Sequence, residues 1–103
     1  MDSGVLEWLS SWYADQCDGD WEHDNQLKIE TLDNPGWDIE ISLKDTGLDI
    51  KDFDSGLIEK SELDWHRYFI KNGRYVGYGD PSKLGVLLRC FREIVEAAER
   101  DAR

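Results

Sequence analysis

The chain has 103 residues and a formal net charge of −11, with 40% hydrophobic and 34% charged residues. That length supports one modest hydrophobic core, so a single domain over 1–103 is expected. Five tryptophans and the apolar content exclude a disordered chain, while the surplus of acids disfavours binding to nucleic acid or to anionic membranes.

The first element is predicted in SGVLEWLSSWYADQCDG, where Val5, Leu6, Trp8, Leu9, Trp12 and Tyr13 follow helical spacing on one broad face. Asp2 or Ser3 suits its start, and Gly19 suits a left-handed position just past its end. QLKIETL and WDIEISL read as strands. In the second, Trp37, Ile39, Ile41 and Leu43 alternate with polar residues, which gives one buried face. The intervening DNPG, with Pro35 and Gly36 at its centre, predicts a type II turn and hence a hairpin. Its outer face would present Lys28, Glu30, Asp38 and Glu40.

The stretch from Lys44 to Glu62 is ambiguous, with one short strand possible around Leu48, Ile50 and Phe53 and another over Leu57–Glu62. DWHRYFIK and RYVGYG flank Asn72–Gly73, a strong two-residue hairpin signal. The last element is a helix, with Asp80 expected as its cap and Pro81 in its first turn. Leu84, Leu87, Leu88, Phe91, Val95 and Ala98 form its apolar stripe. The expected fold class is therefore α+β, an antiparallel sheet of four to five strands flanked by an N-terminal and a C-terminal helix packed on one face.

No run of about 20 apolar residues predicts a membrane span. MDSGVLEWLS carries an aspartate where a signal peptide would carry basic residues, so cytoplasmic residence is the expectation. Charge is unevenly spread: residues 1–66 hold 18 acids against 4 lysines, whereas residues 67–103 hold 5 acids against 8 lysines and arginines. A field of this kind draws cationic partners toward the N-terminal two-thirds.

The densest polar stretch, QCDGDWEHDN, gathers Asp18, Asp20, Glu22 and Asp24 with Cys17, Trp21 and His23. It fails as a calcium loop in both registers, because His23 or Asn25 falls where the loop needs glycine and Ile29 or Thr31 where it needs glutamate. Cys17, Cys90, His23 and His66 are too few and too scattered for a soft-metal site, so neither metal nor cofactor is expected. No P-loop, dinucleotide-binding, nucleophile-elbow or HExxH motif is present. The alternative is a small cytoplasmic enzyme using Cys17 or a carboxylate–histidine site, with rhodanese-like sulfur transfer the nearest chemistry. Against it, the acids around Cys17 disfavour its thiolate. No catalytic residue is assigned. Trp21 reads as a plug at the joint after the first helix, with Asp18, Glu22 and Asp24 pointing outward.

Trp8, Trp12 and Tyr13, then QCDGDWEH at 16–23, IETLDNPGW at 29–37 and DW at 64–65, resemble the immunity protein 53 family of bacterial polymorphic toxin systems. The resemblance implies a small cytoplasmic α+β protein that is not an enzyme and neutralises a cognate protein toxin by binding it, with a basic nuclease as one candidate toxin. It assigns no contact residues and no oligomeric state. Charge therefore nominates the toxin-binding residues: Asp18, Glu22 and Asp24 at the joint, Glu30, Asp38 and Glu40 on the hairpin, and Asp45, Asp49, Asp52 and Asp54 in the acidic stretch beyond it.

Overall fold

The computed structural model describes residues 3–101. In chain order the elements are α1 (Ser3–Gln16), α2 (Trp21–Asp24), β1 (Leu27–Leu32), β2 (Gly36–Ser42), β3 (Phe53–Asp54), β4 (Ile58–Ser61), β5 (Asp64–Lys71), β6 (Arg74–Gly79) and α3 (Leu84–Asp101). The strands form one antiparallel sheet in the order β1-β2-β6-β5, and β3 and β4 both pair with the outer side of β5. The α+β class and the two flanking helices are as the sequence indicates. The sheet has six strands because the ambiguous stretch supplies two very short ones, β3 and β4. Leu48 and Ile50 instead lie in the loop before β3 and pack their side chains against the core. The capping side chains expected at Asp2 or Ser3 lie outside the described part of the chain.

Alternation along the strands divides the sheet into two faces. Ile39 and Ile41 of β2, Tyr75 of β6 and Ile70 of β5 point to one side, where Val5, Leu9 and Trp12 of α1 meet Leu87, Leu88, Phe91 and Val95 of α3. Trp8 and Trp37 are half-buried against this core. The apolar face of α1 is narrower than its spacing suggests, since Leu6 and Tyr13 turn to solvent. The two long helices, α1 and α3, thus cover the same side; among the described residues the opposite side is bordered only at one edge by the short α2, through His23 and Asp24.

Two turns differ in how well the sequence describes them. Asn72 and Gly73 have φ of 54° and 73°, as a two-residue hairpin of the primed type requires. The type II turn at Pro35–Gly36 is not formed: Gly36 is the first residue of β2, paired with Leu32, and is not among the residues with positive φ. A side chain there would collide with the Gly79 carbonyl, so close approach of two strands explains this glycine.

Asp80 is not the cap of α3, which begins four residues later. It is buried, and its carboxylate gathers a corner of the fold. One oxygen accepts from the Trp65 N–H at 2.8 Å and from Lys83 Nζ at 2.8 Å. The other accepts from the Ser82 N–H at 2.7 Å and the Ser82 hydroxyl at 2.6 Å. Lys83 also pairs with Asp64 at 2.7 Å. Pro81 then lies in the turn rather than the helix. Burial pushes the Asp80 carboxyl upward, but the Lys83 and Ser82 bonds, with the Trp65 N–H, outweigh it and hold the acid well below the ordinary carboxylate range.

Truncating Trp12 or Phe91 to alanine should each cost about 3–5 kcal/mol in a urea titration, by loss of buried area and the cavity left behind. Asp80→Ala should cost about 3–5 kcal/mol at neutral pH, because Lys83 and the corner N–H groups lose their partner. Since the folded pKa is depressed, that contribution is complete above the unfolded value of about 4 and is lost as pH falls through the folded pKa. The stability gap between wild type and Asp80→Ala should therefore narrow between pH 4 and pH 2. A gap constant across that range would contradict an ionised Asp80.

Candidate functional site

The uncovered face of the sheet carries Lys28 and Glu30 from β1, Asp38 and Glu40 from β2, Arg74, Val76 and Tyr78 from β6, and Arg67 and Phe69 from β5. Register places Lys28 opposite Glu40 and Glu30 opposite Asp38, and Asp38 in turn opposite Tyr78. The hairpin acids named from the sequence are thus neighbours on one surface. Lys28 reaches Glu30 at 3.5 Å and Glu40 at 3.6 Å, and Arg74 reaches Glu40 at 3.6 Å. These are long, exposed pairs worth little individually.

Asp38 differs from its neighbours. One carboxylate oxygen is buried and has no hydrogen-bond partner. Burial first, then the Glu40 and Glu30 charges, push its pKa above the ordinary value, with Lys28 opposing only in part. It is a carboxylate held beside like charges, which a cation brought to this face would offset, although the unpartnered oxygen itself lies below the surface. Beside it the surface becomes aromatic. Phe69 and Tyr78 lie 6.2 Å apart between ring centres, and the Arg67 guanidinium sits 5.0 Å above Phe69.

The remaining acids behave in different ways. Asp18 Oδ1 accepts from the Asp20 and Trp21 N–H groups, both at 2.9 Å, and Glu22 accepts from the Asp18 and Gly19 N–H groups. Backbone N–H groups, led by Trp21 for Asp18 and by its own for Glu22, hold both carboxyls below their usual values. These two acids shape the joint, although both remain accessible to solvent. Trp21 is the plug: buried, with its indole N–H donating to the Lys44 carbonyl at 2.7 Å and its ring edge-on to Trp12. Asp24 is exposed beside it. In the following loop Asp45, Asp49 and Asp52 are exposed. Asp54 is engaged by Arg67 through both oxygens, and this partner, with the Gly56 N–H, lowers its pKa to about 2.

The joint meets the hairpin face at Asp24, which lines one cavity with Lys28, Glu40 and Arg74, whereas Asp49 and Asp52 lie beside Phe53 at the far edge. Phe69 and Tyr78 lie half-buried on the uncovered face although both sit in strongly apolar strands. Period-2 alternation counted outward from the Asn72–Gly73 turn separates them from Tyr68 and Tyr75, which face the core.

The residues of a cysteine–histidine enzyme are not assembled. The Cys17 thiol donates to the Tyr13 carbonyl at 3.3 Å within its own helical turn. The joint that follows Cys17 is bonded at Lys44, near the Asn72–Gly73 end of the sheet, whereas His66 pairs with Gly79 at the other end. Burial pushes the Cys90 thiol up, away from reactivity. Among the described residues, no three His, Cys, Asp or Glu side chains are grouped so as to hold a metal ion, and no helix is long and apolar enough to cross a membrane.

No curated protein and no solved structure is similar enough to this chain to count as a match. The family profile described as Immunity protein 53 matches residues 6–96, which takes in every element from α1 through most of α3. The chain belongs to the Immunity protein 53 family, a non-catalytic immunity-protein family of toxin systems whose members meet a cognate toxin as partner.

Proposed function

We propose that this protein forms one immunity domain over residues 1–103 that acts in the cytoplasm. In this reading it blocks a basic toxin, of which a nuclease is the leading type, by binding it across the uncovered face of the hairpin. The observation that carries the surface is Asp38, whose buried, unpartnered oxygen sits between Glu30 and Glu40. Complementary charge of this kind chiefly accelerates capture and fixes orientation, and the Phe69–Tyr78 pair supplies apolar area beside it. Asp24 flanks this face from the joint. Asp18 and Glu22 contribute field more than contact, because their acceptors already serve the backbone.

A second surface is favoured by a separate observation. Phe53 and Leu57 are 48% and 60% exposed at the far edge, close in sequence to Asp49, Asp52 and Asp54. The two surfaces are separable by substitution.

Neutralising the hairpin set, by Glu30→Gln, Asp38→Asn and Glu40→Gln together, is preferable to reversal, since new lysines would crowd Lys28 and Arg74. With the toxin encoded beside the gene, the triple variant should associate at least tenfold more slowly at low salt and with a flatter salt dependence. Glu93→Gln with Glu99→Gln on α3 should leave the rate nearly unchanged. Equal effects from the two sets would show the acids to be a solubilising surface only. A loss confined to Asp49→Asn with Asp52→Asn would move the interface to the far edge.

Asp38→Asn alone should separate stability from binding. Because the folded pKa of Asp38 is raised, its ionised form costs stability at neutral pH and that cost disappears as pH falls below the folded pKa. The variant should be more stable than wild type in a urea titration at pH 7 while binding the toxin more weakly. A variant less stable than wild type at pH 7 would contradict the strained carboxylate.

A further inference from the structure

The two edges of the sheet are built differently. The far edge is interrupted: β3 has two residues, β4 has four, and the pairing of β4 with β5 shifts register between Glu59 and Ser61. Short strands and irregular register are how sheets prevent pairing with another chain. The near edge is β1, with six residues in unbroken register with β2, no proline within it, and most of its residues exposed.

The direction of its free backbone groups follows from one bond. The Ser42 N–H donates to the Gln26 carbonyl at 3.1 Å, so Gln26 and Ser42 form a hydrogen-bonded pair. Alternation then turns the N–H and C=O of Lys28, Glu30 and Leu32 toward β2, and those of Leu27, Ile29 and Thr31 outward. The side chains of the outward set lie on the helix side of the sheet. There a groove of about 330 Å³ runs between α1 and the start of β1, lined by the apolar Leu9, Tyr13 and Leu27 and by the polar Ser10, Glu22 and Asn25. Leu6 continues the same stripe of α1 as Ser10 and Tyr13. Leu6, Tyr13 and Ile29 are 53%, 39% and 38% exposed and leave apolar surface on this side.

An open strand with a helix-walled, partly apolar groove beside it is the arrangement that accepts a peptide as an added strand, with alternate side chains entering the groove. We infer that β1 is a strand-accepting edge, and that its occupant is an extended segment of the cognate toxin with alternating apolar and cationic side chains. This inference rests on the toxin-binding reading above and extends it. Apolar residues would enter the α1 groove, and the cationic ones would emerge on the uncovered face beside Glu30, with Asp38 and Glu40 one strand further in. Charge argues against a second copy of the chain as occupant, since each carries −11. Lys28 and Glu30, charged and adjacent along the edge, discourage indiscriminate strand pairing.

The test is amide hydrogen exchange of the full chain, free and saturated with the toxin encoded beside the gene, together with binding by Ile29→Pro. Proline at 29 removes an outward N–H and leaves the ladder to β2 intact, a placement that edge strands tolerate. The amides of Leu27, Ile29 and Thr31 should become protected in the complex, and Ile29→Pro should bind at least tenfold more weakly. Leu6→Ser with Tyr13→Ala, which touches no strand, should weaken binding in the same direction and decides the matter if the proline variant does not fold. If wild type binds the toxin while those three amides exchange as in the free protein and the variants bind normally, strand addition is wrong and toxin binding stands. Should wild type bind no toxin at all, both readings fall. A toxin-free dimer that protects the same amides would assign the edge to self-pairing and overturn the inference.

Discussion

Phe91 is where the two ends of the chain meet the sheet. Its buried ring lies 5.1 Å from Trp12 and edge-on to it, 5.9 Å from Trp8, and 5.1 Å from Tyr75 of β6. Tyr75 is buried as well, and its hydroxyl donates to the Leu87 carbonyl at 2.6 Å, which fixes α3 against the strand. Burial pushes this phenol far above its usual pKa, so it stays a neutral donor. Edge-on aromatic packing has a preferred geometry, unlike the contact of two aliphatic side chains. With α1 and α3 both committed to this cluster, neither can cross to the other side of the sheet. The uncovered face is the consequence of one crowded core.

That constraint changes what a net charge of −11 means for this molecule. Many of the acids are engaged internally: Asp18 and Glu22 by backbone N–H groups, Asp54 by Arg67, and Asp64 and Asp80 by Lys83. These acids define local structure, and an approaching cation meets them as part of a smooth field. Asp38 is different because its neighbours repel it and its buried oxygen is unused. Counting charges along the chain locates the field, whereas only hydrogen-bond partners distinguish spent carboxylates from available ones.

The same distinction marks what the sequence made legible. Period-2 alternation in WDIEISL and the Asn72–Gly73 turn correctly give the hairpins and place Glu30, Asp38 and Glu40 on one surface. Helical spacing gives the core faces of α1 and α3, though it cannot tell that Leu6 and Tyr13 lie beyond the rim of the sheet. Asp80 followed by proline looks like a helix start because a cap and a buried hub use the same short acceptor side chain. What separates them is Trp65, 15 residues earlier in the chain, whose N–H the carboxylate accepts. Gly36 misleads for a similar reason: its close neighbour is the Gly79 carbonyl, far away in sequence. Local chemistry was readable, and contacts closed only by the tertiary fold were not.

The joint QCDGDWEHD and the uncovered face differ in how tightly their side chains are tied to the fold. Its tryptophan is buried, and its first two candidate acids are hydrogen-bonded to backbone, so substitutions there disturb the entry to β1 before they alter any partner contact. On the uncovered face the reverse holds. Strand alternation puts Lys28, Glu30 and Glu40 out of reach of the Phe91 core, and their mutual ion pairs are weak enough to be exchanged without unfolding the sheet. Asp38 lies between these two environments, half-buried against the sheet with one oxygen that nothing in the fold satisfies. Its raised pKa is the thermodynamic mark of that position: the fold tolerates a charge that it does not itself satisfy.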